Sequence, residues 1–511
     1  MLNKFIISIS IVCLLAGLVV RLTKLESVPP HLSNDEISIA YDAYSMVKTG
    51  RDEHGHLFPI SFQSHGSYKA PLYSYLLAPL TLILPHTDTT AKLPSAAAGL
   101  LTILVISLTI YKLSKNRLLS LLAGLIMTTS PWHIYTSHMV LETNLALLFT
   151  SLSVLLFVSG HFNLTAVFLS LSMYAYHTQW GLAPLLAIYF FQNIFKNNRR
   201  SALTFLITFF VFSFPLAFDY LSLGGTSARA NVEMIWNDPQ VNSALSFLTT
   251  FISNYFSYTN PGYLFFSGLS LFPSPHPYNP GLFVWPLIIP YFVGLMYLFK
   301  NLKLKPGFKL ILYWFLISPI VPALTHGGNS LLRNLPSIIP YTLVIAIGCH
   351  QIYLYKKVLF ALLLIVYSSF IFLYSWVYLF HFPVETAATY QGYKPIAQYL
   401  NTHPGFAQVR IDDRFGIDNQ FSGVPHLYFA YFNYLSPALL QNRQFKKDAT
   451  YHGNVAITWI NWANEPLTPS TWYVTSVGNR PSQSQQQNLL QLVSSFPDAG
   501  GRPAFEIWTT R

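Results

Sequence analysis

A few charged side chains in this chain sit where an apolar sequence rarely places a charge. Asp35 and Glu36 occur in P-P-H-L-S-N-D-E-I-S-I-A-Y, just past a long apolar N-terminal run. A carboxylate facing a cavity at a membrane surface can take a proton from an acceptor. The same pair can also do no more than complement the positive N-terminus of the helix that follows, with Asn34 as its cap. Lys69, in S-Y-K-A-P-L-Y, immediately precedes another apolar stretch. It can snorkel to lipid headgroups or hold a lipid-linked phosphate at that depth. Glu142 stands at the mouth of an apolar run in S-P-W-H-I-Y-T-S-H-M-V-L-E-T-N, beside Asn144. A carboxylate there is costly unless it faces protein or water, although it also suits an ordinary helix start. Arg333, in H-G-G-N-S-L-L-R-N-L-P, is a second cation able to grip phosphate oxygens with paired hydrogen bonds, or an interfacial snorkelling arginine.

The elements that must position these residues follow from composition. Of 511 residues, 52% are hydrophobic and only 10% charged, with a mean hydropathy of +0.39. Soluble domains carry about a quarter charged residues. About eleven apolar runs are long enough to cross a bilayer. They lie near 5–22, 93–111, 118–132, 143–159, 163–177, 180–195, 202–220, 281–299, 310–325, 335–350 and 358–381. Between them fall basic clusters at Lys112, Lys115 and Arg117; Lys196, Arg199 and Arg200; Lys300, Lys303, Lys305 and Lys309; and Lys356 and Lys357. All fall on one side, which positive loops make cytoplasmic. The N-terminus is then inside and the outer segments are 23–91, 132–142, 221–280, 326–334 and everything after about 382. The formal charge of +11 is thereby explained by topology, with no nucleic-acid partner.

The run after Met1 is followed by Arg21 and Leu22 with no small-residue cleavage site, which predicts a retained first helix. Ala70 to Pro85 is apolar, but making it a span would place Lys112 to Arg117 outside, so a juxtamembrane interfacial helix is expected. Cys13 and Cys349 lie inside apolar runs and behave as small hydrophobes, without a disulfide or redox role. After about 382 charges return, and β-type runs at Gln408 to Ile411, Val455 to Ile460, Trp472 to Val477 and Phe505 to Thr509 alternate with helical stretches at Tyr393 to Leu400 and Gln487 to Phe496. Asn479 to Gln487 reads as an exposed loop. The expected fold class is mainly α: a polytopic membrane protein with a transmembrane module over 1–382, a first outer loop over 23–91, and a small extracytoplasmic α/β domain over 383–511.

His54, His56 and His65 with Asp52 and Glu53 match no compact ligand set, and His133 and His138 add none, so no metal or other cofactor is assigned. A transporter or flippase of lipid-linked saccharides would also use many spans and a phosphate-binding lysine. Transporters, however, place polar residues at the midplane, often in repeated halves, whereas these gather at the outer surface without a repeat. A scaffold anchored by the membrane part would need neither so many spans nor acidic residues at their outer mouths.

In their order along the chain, Asp35-Glu36, T-G-R-D-E-H-G at 49–55, Y-K-A-P-L-Y, K-L-P-S-A at 92–96, then S-P-W-H and Glu142 resemble the protein O-mannosyltransferase and aminoarabinose transferase-like family of the C-type glycosyltransferase superfamily. The likeness covers roughly the first 200 residues well and the rest of the membrane part more loosely. It implies a C-type bundle with outer-face juxtamembrane helices and a polyprenyl-phosphate-linked sugar donor. The acceptor would be a lipid, glycan or protein at the outer face of the plasma membrane. It also implies a catalytic carboxylate at Asp35, a second acid at Glu142, and a phosphate-contacting Lys69 with Tyr68 beside it. Relatives often carry an acid where this chain has Ser67 and Tyr68, and Asp where it has Glu142; these departures bear on the donor sugar and on fine geometry. The chemistry is consistent with this. Displacement at an anomeric carbon needs a general base for the acceptor and cations for the leaving phosphate.

Overall fold

The computed structural model describes residues 2–64, 67–222, 233–266, 281–301, 306–326, 330–386, 392–403, 407–416, 418–422, 424–441, 450–451 and 455–511. His65, Lys303, Lys305 and 327–329 lie outside these. The chain packs into two compact units. One comprises Met1–Thr23, Ile60–Tyr73 and Leu93–Val377; the other comprises Lys24–Pro59, Ser74–Lys92 and Tyr378–Arg511.

The first unit is helical. Its helices are α1 (Leu2–Leu22), the body of α4 (Asp88–Ser114), α5 (Arg117–Thr128), α6 (Pro131–Ser137), α7 (Glu142–Val158), α8 (Phe162–Ala175), α9 (Gln179–Asn197) and α10 (Arg199–Ser222). They continue with α11 (Ala244–Thr259), α12 (Ile288–Asn301), α13 (Pro306–Ile317), α14 (Ile338–Tyr355) and α15 (Lys357–Trp376). Each apolar run expected from sequence overlaps one of these, although 118–132 passes from α5 into α6, the helix of 281–299 begins only at Ile288, and 310–325 breaks after Ile317. Local signals set their starts: the Asn116 side chain accepts from Leu119 N–H ahead of α5, and Ser130 caps α6 with Pro131 in its first turn. By length and hydropathy, five helices among the described residues reach membrane-spanning size, or six if α6 and α7, bent by 115°, form one broken span. Several others are shorter; α8 has 14 residues, about 21 Å of helix.

Close packing is visible where α12 meets α14. A methyl group on Gly294 would lie 2.0 Å from the Val344 carbonyl oxygen, and one on Gly348 would lie 1.7 Å from that of Pro290. Only glycine lets these backbones approach so closely, as small residues do between membrane helices. The 221–280 segment, expected as a loop, contains α11. Leu245, Leu248, Ile252 and Phe256 form an exposed apolar stripe along it, at a helical spacing that the absence of charges concealed.

In the second unit, α2 (Asn34–Thr49) ends at Gly50, whose φ of +68° closes the helix in the left-handed region. α3 (Leu72–Ile83), 12 residues long, occupies the stretch expected to form a juxtamembrane helix. The C-terminal part of this unit is a six-stranded mixed sheet in the order β6-β7-β3-β8-β10-β9. Its strands are β3 (Gln408–Ile411), β6 (Thr450–Tyr451), β7 (Val455–Ile457), β8 (Thr471–Ser476), β9 (Leu490–Pro497) and β10 (Pro503–Thr510). β3 runs parallel to β7 and β8, and the remaining pairs are antiparallel. Side chains alternate between the faces. Tyr473, Leu490 and Trp508 enter a core with Ile460 and Trp462, while Phe505, Phe496 and Trp472 meet Tyr393 and Tyr399 of α16 (Tyr393–Thr402). Gln487 to Phe496 is a correction: its first two residues end a short helix, Gln483–Asn488, which occupies part of the expected loop, and Leu490–Pro497 is a strand paired antiparallel with β10. An isolated helix of ten residues is marginal, whereas the edge of β10 satisfies this segment's backbone along the ladder.

Candidate functional site

Asp35 and Glu36 open α2, and the structure separates them. The Glu36 carboxylate turns back to accept the Ser33 backbone N–H at 2.9 Å, and the side chain is only 1% exposed. Ser33, not Asn34, therefore caps the helix. The Asn34 side-chain amide instead donates to the Ser422 carbonyl at 2.6 Å. Asp35 is exposed, and no hydrogen bond from the described residues engages it.

The loop leading to Asp35 is held by charges that sequence reasoning did not assign. Lys92, fully buried, donates to the Leu25 and Pro29 carbonyls at 2.9 and 3.1 Å. Lys394, from α16, donates to Asp88 at 3.1 Å and pairs with Glu26. Glu26 also accepts the N–H and hydroxyl of Thr89 at 2.8 and 2.7 Å. Burial would raise the Glu26 carboxyl, but the bonds from Lys394 and Thr89 outweigh it and hold the group below its usual range. Burial would likewise lower the Lys394 ammonium; Asp88 and Glu26 reverse that and raise it. His31, buried beside Lys394 and Lys92, is pushed down to about 4, first by burial and then by those cations, and is neutral at physiological pH. His86 stacks between Tyr431 and Tyr434, with centroids 4.5 and 3.9 Å away. Lys92 lay in the K-L-P-S-A motif, a signal that marked its importance without its role.

Asp52 accepts the N–H groups of His54 and His56 at 3.0 and 2.8 Å and meets His56 Nδ1 at 2.9 Å. Glu53 accepts from Ser38 at 2.8 Å. This acidic pair thus shapes the turn after α2.

In the helical unit, Tyr68 and Lys69 lie on β2 (Ser67–Lys69), which pairs antiparallel with β1 (Phe62–Ser64), with Lys69 opposite Phe62. Lys69 is buried, and the Tyr68 carbonyl lies 3.2 Å from His177 Nε2. Ser61, just before β1, donates to Asp219 at 2.7 Å. A short antiparallel pair of strands, rather than the helix that follows, therefore carries the lysine. Glu142 is the half-buried first residue of α7, after the 115° bend. Asn144 below it is buried, accepting from Thr136 and donating to Ser95, both at 3.0 Å. Arg333 donates to the His326 carbonyl at 2.8 Å and forms an ion pair with Glu233 at 3.2 Å. Glu233 was not foreseen; it lies in the segment that meets Thr325 through a β-bridge at Met234.

Residues 11–183, about a third of the chain, match the family model described as dolichyl-phosphate-mannose-protein mannosyltransferase. Over 97% of both chains the fold is similar to ArnT from Cupriavidus metallidurans in the apo state, at 12% identity and a TM-score of 0.55. The same protein bound to undecaprenyl phosphate matches with a TM-score of 0.54, also at 12% identity and 97% coverage of both chains. The archaeal oligosaccharyltransferase AglB from Archaeoglobus fulgidus is similar at 12% identity and a TM-score of 0.47, over 83% of this chain and 64% of that one. No curated protein sequence matches the chain. Residues 11–183 thus resemble the dolichyl-phosphate-mannose-protein mannosyltransferases, and the whole chain shares the fold of ArnT; with its apolar helices it is a multi-pass membrane protein of that fold.

Proposed function

We propose that this protein moves a sugar from a polyprenyl-phosphate donor to an acceptor hydroxyl or phosphate at the outer face of a bacterial-type plasma membrane. Asp35 takes the proton from the acceptor oxygen, which attacks the anomeric carbon. The bond from that carbon to the phosphate oxygen breaks, and the polyprenyl phosphate leaves with the electron pair, its charge met by Lys69 and Arg333 with Tyr68 beside them. Glu142 orients the acceptor. The one-sided basic clusters support a cytoplasmic N-terminus and an outer 383–511 domain.

The observation that carries this reading is the division of labour at the start of α2. Glu36 is committed to the helix cap, while Asp35 is left exposed. The ArnT structure that holds undecaprenyl phosphate supports the choice of donor class. The experiment is mass spectrometry of the species that gains a sugar when purified protein in liposomes meets native polyprenyl-phosphate sugars. A sugar-sized mass gain with release of the lipid phosphate is expected; intact donor appearing on the opposite leaflet without any product would instead mean lipid movement.

A further inference from the structure

The sheet of the second unit gathers side chains that the proposed reaction leaves unused. Because β3, β7 and β8 run parallel, the residues after their carboxyl ends share one edge, the place where loops diverge and ligands bind in open α/β sheets. Three loops are tied together there. Asn479 donates to Asp412 at 2.6 Å and to the Ile460 carbonyl at 2.7 Å, and Trp462 Nε1 donates to the Asn479 carbonyl at 2.7 Å.

On this base stands a small hairpin of β4 (Arg414–Phe415) and β5 (Gln420–Phe421), with Arg414 opposite Phe421. The Arg414 guanidinium lies 4.8 Å from the ring centroid of Trp459. Trp459 is 46% exposed and Phe421 54% exposed. Arg414 Nε and Asn419 Oδ1 are shielded from solvent and have no hydrogen-bond partner among the described residues.

An open aromatic ring on a guanidinium, a second open ring on the strand opposite, and unsatisfied polar atoms in the same hairpin match the two-sided chemistry of a sugar. The C–H face of a pyranose packs on an aromatic ring, and its hydroxyl edge needs donors and acceptors in the same plane. A fatty chain would cover the charged Arg414 guanidinium without offering it an acceptor. The hairpin is also bonded to the candidate catalytic helix: Ser422 N–H donates to the Asp413 carbonyl at 2.8 Å, and Asn34, beside Asp35, donates to the Ser422 carbonyl at 2.6 Å.

We propose that Trp459, Arg414 and Phe421 form an acceptor subsite for a saccharide chain, so that the acceptor is a glycan whose hydroxyl is delivered to Asp35. This rests on the transferase reading above. The test uses the full-length protein in liposomes with radiolabelled native polyprenyl-phosphate sugar and an envelope extract separated into glycan, protein and lipid fractions. Label is expected in the glycan fraction. Trp459→Ala should raise the KM for that fraction at least roughly tenfold, as truncating a central aromatic anchor does, while the KM for donor and the thermal midpoint stay at wild-type values. Trp459→Phe should restore most of the loss. Label entering protein or lipid instead, or an unchanged glycan KM in Trp459→Ala, would overturn the subsite while leaving the transferase intact. No transfer by the wild-type protein to any fraction would overturn both.

Discussion

At the start of α2, the charges around the exposed Asp35 are all engaged in holding the chain in place. Glu36 closes the helix, Lys92 holds the preceding loop by its carbonyls, and Lys394 joins Glu26 and Asp88. In the helical unit the cations are placed differently. Lys69 is fixed by a hairpin backbone, and Arg333 is already matched to Glu233. One region thus leaves a single carboxylate exposed, the proposed base, by committing its neighbours. The other holds a guanidinium in an ion pair with Glu233, which on the proposed reaction the lipid phosphate displaces.

The largest stability effect should come from breaking the committed charges. Lys394→Ala leaves Asp88 buried without its cation. We predict a loss of about 3 kcal/mol, the low end of the cost of breaking a buried pair because Glu26 is half exposed. Chemical denaturation followed by a probe in the 378–511 part would measure this. An unchanged midpoint would mean that the ion network holds nothing together.

For the poised cations, Lys69→Ala and Arg333→Ala should each weaken donor use roughly ten- to a hundredfold, the cost of a lost bond to a charged group, with Lys69→Arg and Arg333→Lys milder. The Arg333 effect should be the smaller, since Glu233 already screens its charge in the free protein. Donor titrations indistinguishable from wild type in both alanine variants would remove these residues from the phosphate site.

Glu36→Ala should cost about 1 kcal/mol as a lost cap, and Glu36→Gln less, because the amide oxygen still accepts the Ser33 N–H. Thermal melts check this, and turnover in Glu36→Gln should fall far less than in Asp35→Asn.

A smaller effect is confined to pH. Burial pushes the Asp412 carboxyl up to about 7, against the lowering influence of its bond from Asn479. Its protonated form is favoured in the fold, so its contribution is full below the ordinary aspartate value of 3.8 and is lost as pH rises through about 7. Asp412→Asn should flatten that slope, seen as thermal midpoints between pH 5 and 8 that vary less than those of the wild type.

Much of the fold was legible because a membrane span announces itself by length and lack of charge, and each expected apolar run overlaps a helix. What composition could not show was how helices break or lie flat. The 115° bend between α6 and α7 falls at His138 to Leu141, four residues with no Gly or Pro to announce a break, and α11 replaced an expected loop. Leu490 to Phe496 misled because its spacing suits a helix while its partner, β10, lies beyond it in sequence. Asp35 and Glu36 were both visible, and the resemblance favoured Asp35; what the sequence could not show is that Glu36 is bound to Ser33. Glu233, Lys394 and the hairpin under Lys69 depend on contacts between distant residues, which a linear pattern does not carry.

The central claim is that the exposed member of the acidic pair is the base, and single-turnover transfer from a radiolabelled polyprenyl-phosphate sugar tests it most directly. A positioned base contributes typically 10²- to 10⁴-fold, so Asp35→Asn, which keeps the shape and removes the basicity, should slow transfer by at least roughly a hundredfold. Donor binding should survive, because the base acts on the acceptor. Full-rate transfer by a folded Asp35→Asn protein, or an equal loss in Glu36→Gln, would contradict the assignment.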